Sequence, residues 1–138
     1  MSLPRAAEAR VYYRAAWHRF DDANLLLEAG RTTGAVYLAG YTVECMLKAL
    51  VLASAAPRLR AALRKEFHGQ RAHNIEWLGA LYRKYGRATV PRGIARQLAR
   101  LAAWSTDLRY ETGVWKARDA EEFVDAVVAV AAWADGRM

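Results

Sequence analysis

Apolar residues recur along most of this chain at helical spacing, in alternating steps of three and four. At the start of the chain such positions form one continuous seam: Ala9, Tyr13, Ala16, Phe20, Ala23 and Leu27. Because about 3.6 residues complete a helical turn, this spacing places the apolar side chains on one face. The seam predicts a first helix from about Arg5 to Ala29, ended by Gly30.

The later segments repeat this pattern between short breaks. The pattern predicts an apolar second helix capped by Thr32 or Thr33, then a short basic helix from Pro57 to Gly69, and a fourth helix capped by Asn74 and stopped by Gly86. A further helix starts at Pro91, and its apolar side extends to Leu108. A loop over Arg109 to Lys116 follows, and the last helix runs from a capping-box-like start at Asp119 and Glu122 to about Ala134. No segment alternates with period two for the length of a strand. We therefore expect a single all-α domain over 1–138, a mostly antiparallel bundle of four long helices plus one short helix.

The second predicted helix is apolar over 35–53 except for Glu44 and Lys48. A charge at the centre of a membrane span costs roughly 3 kcal/mol even on lenient scales, so a buried bundle helix is favoured and no membrane association is expected. The acid stands four residues before the base, in the favourable order for a helical ion pair. Two buried ionisable groups need each other or another partner, so this pair is a candidate site.

The net charge of +7 is concentrated in the middle third of the chain. Between Pro57 and Arg100, eleven Lys and Arg residues, Arg87 among them, stand against two Glu residues, a local balance of +9. Arg92, Arg96 and Arg100 lie one helical turn apart, opposite the apolar side of their helix, and we call them the arginine stripe. Such a patch suits a polyanion such as RNA, and a plain solvated face is the alternative.

Other chemistry is sparse in this sequence. Cys45 is the one cysteine, which excludes a disulfide framework and favours a cytoplasmic protein, and no signal peptide is visible at the N-terminus. Histidine and cysteine show no metal-ligand spacing, and phosphate loops, nucleophile elbows and paired catalytic carboxylates are absent. We expect neither a metal nor a cofactor.

Three stretches together carry a resemblance to a known family. They are the apolar helix around Glu44 and Lys48, the helix start His73-Asn74-Ile75 leading to Leu78, and Arg109-Tyr110 before the acidic start of the last helix. In order and spacing they resemble the HEPN domain, named for higher eukaryotes and prokaryotes nucleotide-binding. The resemblance extends from Val11 to Trp133.

The resemblance implies a helical homodimer with polar residues of both protomers at a shared cleft. On this sequence the cleft residues would be Glu44, Lys48, Arg109 and Tyr110. Family members include ribonucleases of toxin–antitoxin systems, often partnered by a minimal nucleotidyltransferase, and non-catalytic modules that bind RNA or a nucleotide. The ribonucleases carry Arg, four to six residues, then His; here 114–116 are Val, Trp and Lys, so that nuclease pair is missing.

Several interpretations therefore stay open. Glu44 and Lys48 either line a cleft or only fix helix register, Arg109 binds phosphate or caps helix carbonyls, and His73 acts in the site or merely packs at a helix start. The leading hypothesis is a non-catalytic dimeric binding module. The alternatives are a metal-independent ribonuclease that uses Arg109 with His73 or Tyr110, and a structural adaptor for an acidic protein.

Overall fold

A computed structural model describes residues 3–86 and 88–138 of the chain; Arg87, counted in the basic stretch, lies outside the described residues. The described part holds six α-helices and no strand. The helices are α1 (Ala7–Glu28), α2 (Thr32–Ser54), α3 (Arg60–Glu66), α4 (Ile75–Gly86), α5 (Arg92–Leu101) and α6 (Ala117–Asp135). Three-residue-per-turn (3-10) segments lie at Pro57–Leu59, Gln70–His73 and Thr106–Tyr110. The predicted all-α class is confirmed. The predicted lengths of four long helices and one short helix are replaced, among the described residues, by three helices of 19 to 23 residues and three of 7 to 12 residues.

Helix α2 is the centre of the bundle. It packs against α1, α4 and α6, while α5 lies outside, against α6 and α4. By length and composition α2 could cross a membrane, yet 78% of its most apolar window is buried inside the protein. Its apolarity is that of a helix surrounded by other helices, where an apolar stripe has to face every neighbour.

The turn between α1 and α2 follows the predicted boundary. Helix α1 ends at Glu28, and Gly30 has φ 77°, a left-handed conformation that glycine adopts without a Cβ penalty. The predicted threonine caps are wrong, because Arg31 precedes α2 and no side chain caps it. Thr32 and Thr33 instead donate hydrogen bonds to the carbonyls of Trp115 (2.6 Å) and Gly113 (2.8 Å), which fasten the 111–116 loop to α2.

Helix α4 begins as predicted. The Asn74 side-chain oxygen accepts a hydrogen bond from the Trp77 backbone N–H at 2.8 Å, which satisfies one free amide of the first turn. Helix α4 ends at Gly86, the residue predicted to stop it. The predicted capping box of α6 is wrong, because α6 starts at Ala117 and has no side-chain cap.

Helix α5 is shorter than the apolar pattern predicts. It ends at Leu101, and Ser105 then adopts an extended conformation in which its hydroxyl accepts a hydrogen bond from the Asp107 N–H at 3.1 Å. This contact starts the turn Thr106–Tyr110. Leu108 is buried, but it belongs to this turn and not to α5. The apolar spacing therefore continued past the point where the helix ends. The new turn brings Trp104 and Arg109 toward α2.

Candidate functional site

The ion pair predicted within α2 is present and buried. Lys48 Nζ donates to Glu44 Oε2 at 2.9 Å, and only 6% of the lysine side chain and 4% of the glutamate side chain are exposed. The ammonium group also lies 5.7 Å from the centre of the Tyr12 ring and 5.6 Å from that of Phe67. These rings give the buried cation a second favourable contact. Lys48 is therefore held beneath the surface by three partners.

The other oxygen of the Glu44 carboxylate is bound to His73. His73 Nδ1 lies 2.9 Å from Glu44 Oε1, and 37% of the histidine side chain is exposed. The turn Gln70–His73 places the ring there immediately before α4. With Nδ1 donating to the carboxylate, Nε2 is left as the ring nitrogen available for a ligand. The buried carboxylate thus fixes the orientation of a histidine at the surface.

Aromatic rings surround this pair on one side. Tyr41 lies one turn before Glu44. The centre of its ring is 6.2 Å from that of His73 and 5.1 Å from that of Trp104, and both contacts are edge-to-face. The hydroxyls of Tyr41 and Tyr37 lie 3.3 Å apart, and Trp104 Nε1 donates to the Tyr37 carbonyl at 3.2 Å. We call Glu44, Lys48, His73, Tyr37, Tyr41 and Trp104 the Glu44 cluster.

Gly40 explains how Trp104 approaches α2 so closely. A Cβ atom built on Gly40 would lie 2.0 Å from atoms of the Trp104 indole, which no side chain could tolerate. The indole therefore lies directly against the helix backbone, in the space that any other residue would fill. Trp104 is a fixed wall of the cluster, buried to 4% exposure.

Arg109 and Tyr110 lie at the surface on the same side of the bundle. The guanidinium carbon of Arg109 is 4.9 Å from the centre of the Tyr110 ring, and Tyr110 is 71% exposed. The Tyr110 hydroxyl raises the pKa of the Arg109 guanidinium, and Tyr37 adds to this more weakly, so the side chain stays charged. Burial raises the pKa of Tyr41, and the nearby Arg109 charge opposes part of that rise. His73 contacts Tyr41 edge-to-face, and the turn that carries Arg109, 36 positions later in the sequence, packs against the same helix.

A pocket of about 560 Å³ opens next to His73. One wall is the start of α4 and the turn before it, and the opposite wall is the segment 104–106. The lining residues are Gln70, Arg71, His73, Asn74, Glu76, Trp77, Ala80, Trp104, Ser105 and Thr106. The Arg71 guanidinium carbon lies 5.0 Å from the centre of the Trp77 ring. The cluster therefore continues into an aromatic cleft with a positive charge at its mouth.

The arginine stripe is built differently. Arg92, Arg96 and Arg100 are all exposed on α5, while Leu98 and Leu101 of that helix face the core. Within residues 3–86 and 88–138, none of the three arginines forms an ion pair. The stripe is a row of exposed charges, of which Arg100 also lines a shallow pocket with Asp119 and Glu122 of α6.

The other histidines and the cysteine form no site with neighbouring residues that the structure describes. His18 and His68 are exposed, and in the described part of the chain no group of three or more His, Cys, Asp or Glu residues could hold a metal ion. Burial, with a smaller contribution from the Glu44 charge, raises the pKa of the Cys45 thiol from 9.0 to about 11, so this thiol is unreactive at neutral pH.

Sequence reasoning missed part of the site. It identified Glu44, Lys48, His73, Arg109 and Tyr110 but did not single out the aromatic residues of the cluster or the Arg71–Trp77 wall. The close spacing of Tyr37, Gly40 and Tyr41 was the available signal, since a glycine between two tyrosines on one helix allows a third ring to approach. The partner ring comes from residue 104, which the apolar pattern had assigned to a continuous helix.

Comparison with known proteins gives the family of the chain. The family model described as HEPN domain matches residues 9–137, nearly the whole chain. No curated protein and no solved structure gives a significant match. The helical bundle, the polar pair on its central helix and the match over residues 9–137 lead to one conclusion: the chain belongs to the HEPN domain family.

Proposed function

We propose that this HEPN domain is an RNA-binding module in which the exposed edge of the Glu44 cluster takes a phosphate of the RNA backbone. The observation that carries the proposal is the 2.9 Å contact by which the buried Glu44 carboxylate orients His73, on the same α2 helix against which the turn Thr106–Tyr110 packs. Arg109 supplies a permanent charge and a forked donor suited to phosphate oxygens. His73, oriented by Glu44, offers its second ring nitrogen as a further polar group.

The proposed module works as a homodimer in the cytoplasm, with a cleft shared between two copies and a minimal nucleotidyltransferase as partner in a toxin–antitoxin-like pair. The support is the family membership together with the side on which the polar residues lie. Arg109, Tyr110 and His73 are at the surface, so a second copy could bring its own set against them. Light scattering of the purified protein tests the dimer, and co-purification with a co-expressed nucleotidyltransferase from the neighbouring gene tests the partner.

In this proposal the module binds RNA without cleaving it, because the family's Arg-x4-6-His nuclease pair is missing from the chain. The test is a binding titration with labelled single-stranded RNA in the presence of a chelator, followed by a gel of the same RNA. We expect binding without cleavage, and Arg109→Ala should weaken it and reduce the salt dependence by about one counterion. Failure of the wild-type protein to bind RNA would overturn the proposal.

One observation favours a second candidate function, a metal-independent ribonuclease. The 2.9 Å contact from Glu44 to His73 holds a ring nitrogen toward the surface, as a general base requires. In that reaction His73 Nε2 removes the 2′-hydroxyl proton, the 2′-oxygen attacks phosphorus, and the 5′-oxygen leaves with a proton from water. Arg109 would stabilise the charge on the phosphorane oxygens. Chelator-resistant cleavage that is lost in both His73→Ala and Arg109→Ala would establish this function and remove the non-catalytic one.

A further inference from the structure

The pocket beside His73 is not occupied by the proposed phosphate contact, and its size and lining suit a further ligand group. Its volume of about 560 Å³ lies within the range of small-ligand pockets, roughly 300 to 1,000 Å³. Aromatic side chains line both walls, Trp77 on one and Trp104 on the other. A pocket of this kind accepts a flat ring system between its walls.

The two walls differ in burial and in the contacts that hold them. Trp104 is fixed by its hydrogen bond to the Tyr37 carbonyl and by its contact with Gly40, so it cannot retreat. The opposite wall is the surface stack of Arg71 on Trp77. Arg71 has only a loose contact with Glu66, 3.9 Å between Nη2 and Oε1, and its side chain is 65% exposed. One wall is buried and hydrogen-bonded to α2, and the other lies at the surface.

Polar groups line the same pocket. The Asn74 amide, the Glu76 carboxylate and the Thr106 hydroxyl are among its lining residues. Together they offer donors and acceptors, as the edge of a nucleobase requires. The Arg71 guanidinium and the His73 ring also line the pocket, and the guanidinium suits the phosphate of the same nucleotide.

We propose that this pocket takes one unpaired base of a single-stranded RNA, stacked against the Arg71–Trp77 wall. The proposal rests on the proposed RNA binding of the adjacent cleft and adds to it a choice of substrate class. Bases of a duplex are stacked and paired inside the helix, whereas bases of a single strand can be splayed onto aromatic and guanidinium planes. The domain therefore selects single strands over duplexes.

The experiment uses the full chain and a short RNA that carries one 2-aminopurine, whose fluorescence falls on stacking. Anisotropy gives the affinity and the 2-aminopurine signal reports the stack. We expect Trp77→Ala to weaken single-strand binding by between about 5-fold and 100-fold and to abolish the quenching. Trp77→Phe, which keeps a stacking ring, should recover part of both.

Two further variants serve as controls. Trp115→Ala removes another partly buried tryptophan, on the 111–116 loop, and should leave RNA affinity and quenching unchanged. Arg109→Ala reports on the phosphate contact alone, so it should weaken binding while the bound 2-aminopurine stays quenched. Thermal unfolding of each variant identifies any loss that comes from misfolding, and Trp77→Phe carries the test if Trp77→Ala does not fold.

The outcomes separate the pocket from the proposed function. If Arg109→Ala loses affinity but Trp77→Ala does not, RNA binding stands and the base pocket is wrong. If duplex RNA of the same sequence binds as tightly, or if a free mononucleotide fills the pocket while single-stranded RNA does not, the assignment to an unpaired RNA base is also wrong. A wild-type protein that binds no RNA overturns both proposals.

Discussion

The Glu44 cluster and the arginine stripe are both charged, yet only one of them is built as a site. In the cluster, the Glu44 carboxylate has two partners at 2.9 Å from different elements, and aromatic rings enclose them. In the stripe, three arginines project from one face of α5 into solvent. Buried polar groups are costly unless paired, so a buried network has a defined geometry, whereas solvated charges have none. The difference lies in contacts between elements, and charge counting does not reveal it.

The largest effect should come from removing the centre of the cluster. Glu44→Ala leaves the buried Lys48 without its carboxylate and His73 without its orienting partner, and we expect a loss of about 3 to 5 kcal/mol in the free energy of unfolding. Urea unfolding measures this. Glu122→Ala is the matched control, because it breaks an exposed pair of the same spacing with Arg118 and should cost about 0.5 kcal/mol at most.

A second variant keeps this prediction open to contradiction if Glu44→Ala does not fold. Lys48→Met replaces the buried cation by an apolar side chain of similar length beneath Tyr12 and Phe67, while Glu44 keeps His73. It should be less destabilising than Glu44→Ala. Equal losses for Glu44→Ala and Glu122→Ala would mean that the cluster does not stabilise the fold.

The next effect compares Gly40, which lies against Trp104 of the cluster, with Gly93 on α5, the helix of the stripe. Gly40→Ala places a methyl group inside the Trp104 indole and should cost about 1 to 3 kcal/mol. Gly93→Ala meets nothing within 4 Å on α5 and should stabilise by about 0.5 to 1 kcal/mol, because alanine favours the helix. Thermal melts and near-ultraviolet circular dichroism of Trp104 measure both changes. Opposite signs are expected, and equal effects would contradict the close approach.

The third prediction concerns pH. The pKa of the Cys45 thiol is raised in the folded state, so the folded protein holds its proton where the unfolded chain has lost it. The contribution to stability is complete below about pH 9 and falls as the pH rises toward about 11. At pH 8 the folded thiol should react with iodoacetamide about a hundredfold more slowly than in urea, since the thiolate fraction follows the pKa shift. Glu44→Gln should reduce this difference between the folded and unfolded reaction rates, because the Glu44 charge contributes to the rise in the pKa of Cys45. Reaction at the unfolded rate would contradict it.

The smallest effect on stability is expected from the stripe. Each of Arg92, Arg96 and Arg100 changed to Ala should alter the free energy of unfolding by less than about 0.5 kcal/mol, because the side chains are exposed. A triple charge reversal tests binding: an RNA affinity equal to that of the wild type would remove the stripe as an RNA site. A reversal that leaves RNA affinity intact and abolishes binding to an acidic protein would favour the adaptor hypothesis.

The sequence predicted most of the helical segments to within a few residues and identified Glu44, Lys48, His73, Arg109 and Tyr110 as candidates. Its errors occurred where tertiary contacts override local pattern. Thr32 and Thr33 bond the 113–115 backbone instead of capping α2, and Ser105 ends the apolar run that extends toward Leu108. Hydroxyl side chains bond whichever backbone group folding brings near them, and periodicity contains no information about that choice.

By itself the sequence determined the all-α class, the buried central helix and the ion pair within it, because apolar spacing and the i,i+4 interval are local properties of one helix. Only the tertiary structure decided that His73 binds the second oxygen of Glu44 and that Trp104 lies on Gly40. These contacts join residues 29 and 64 positions apart, and their geometry depends on how the helices pack. The charge pattern pointed to the middle third of the chain as the binding region, whereas packing built the enclosed polar cluster around α2.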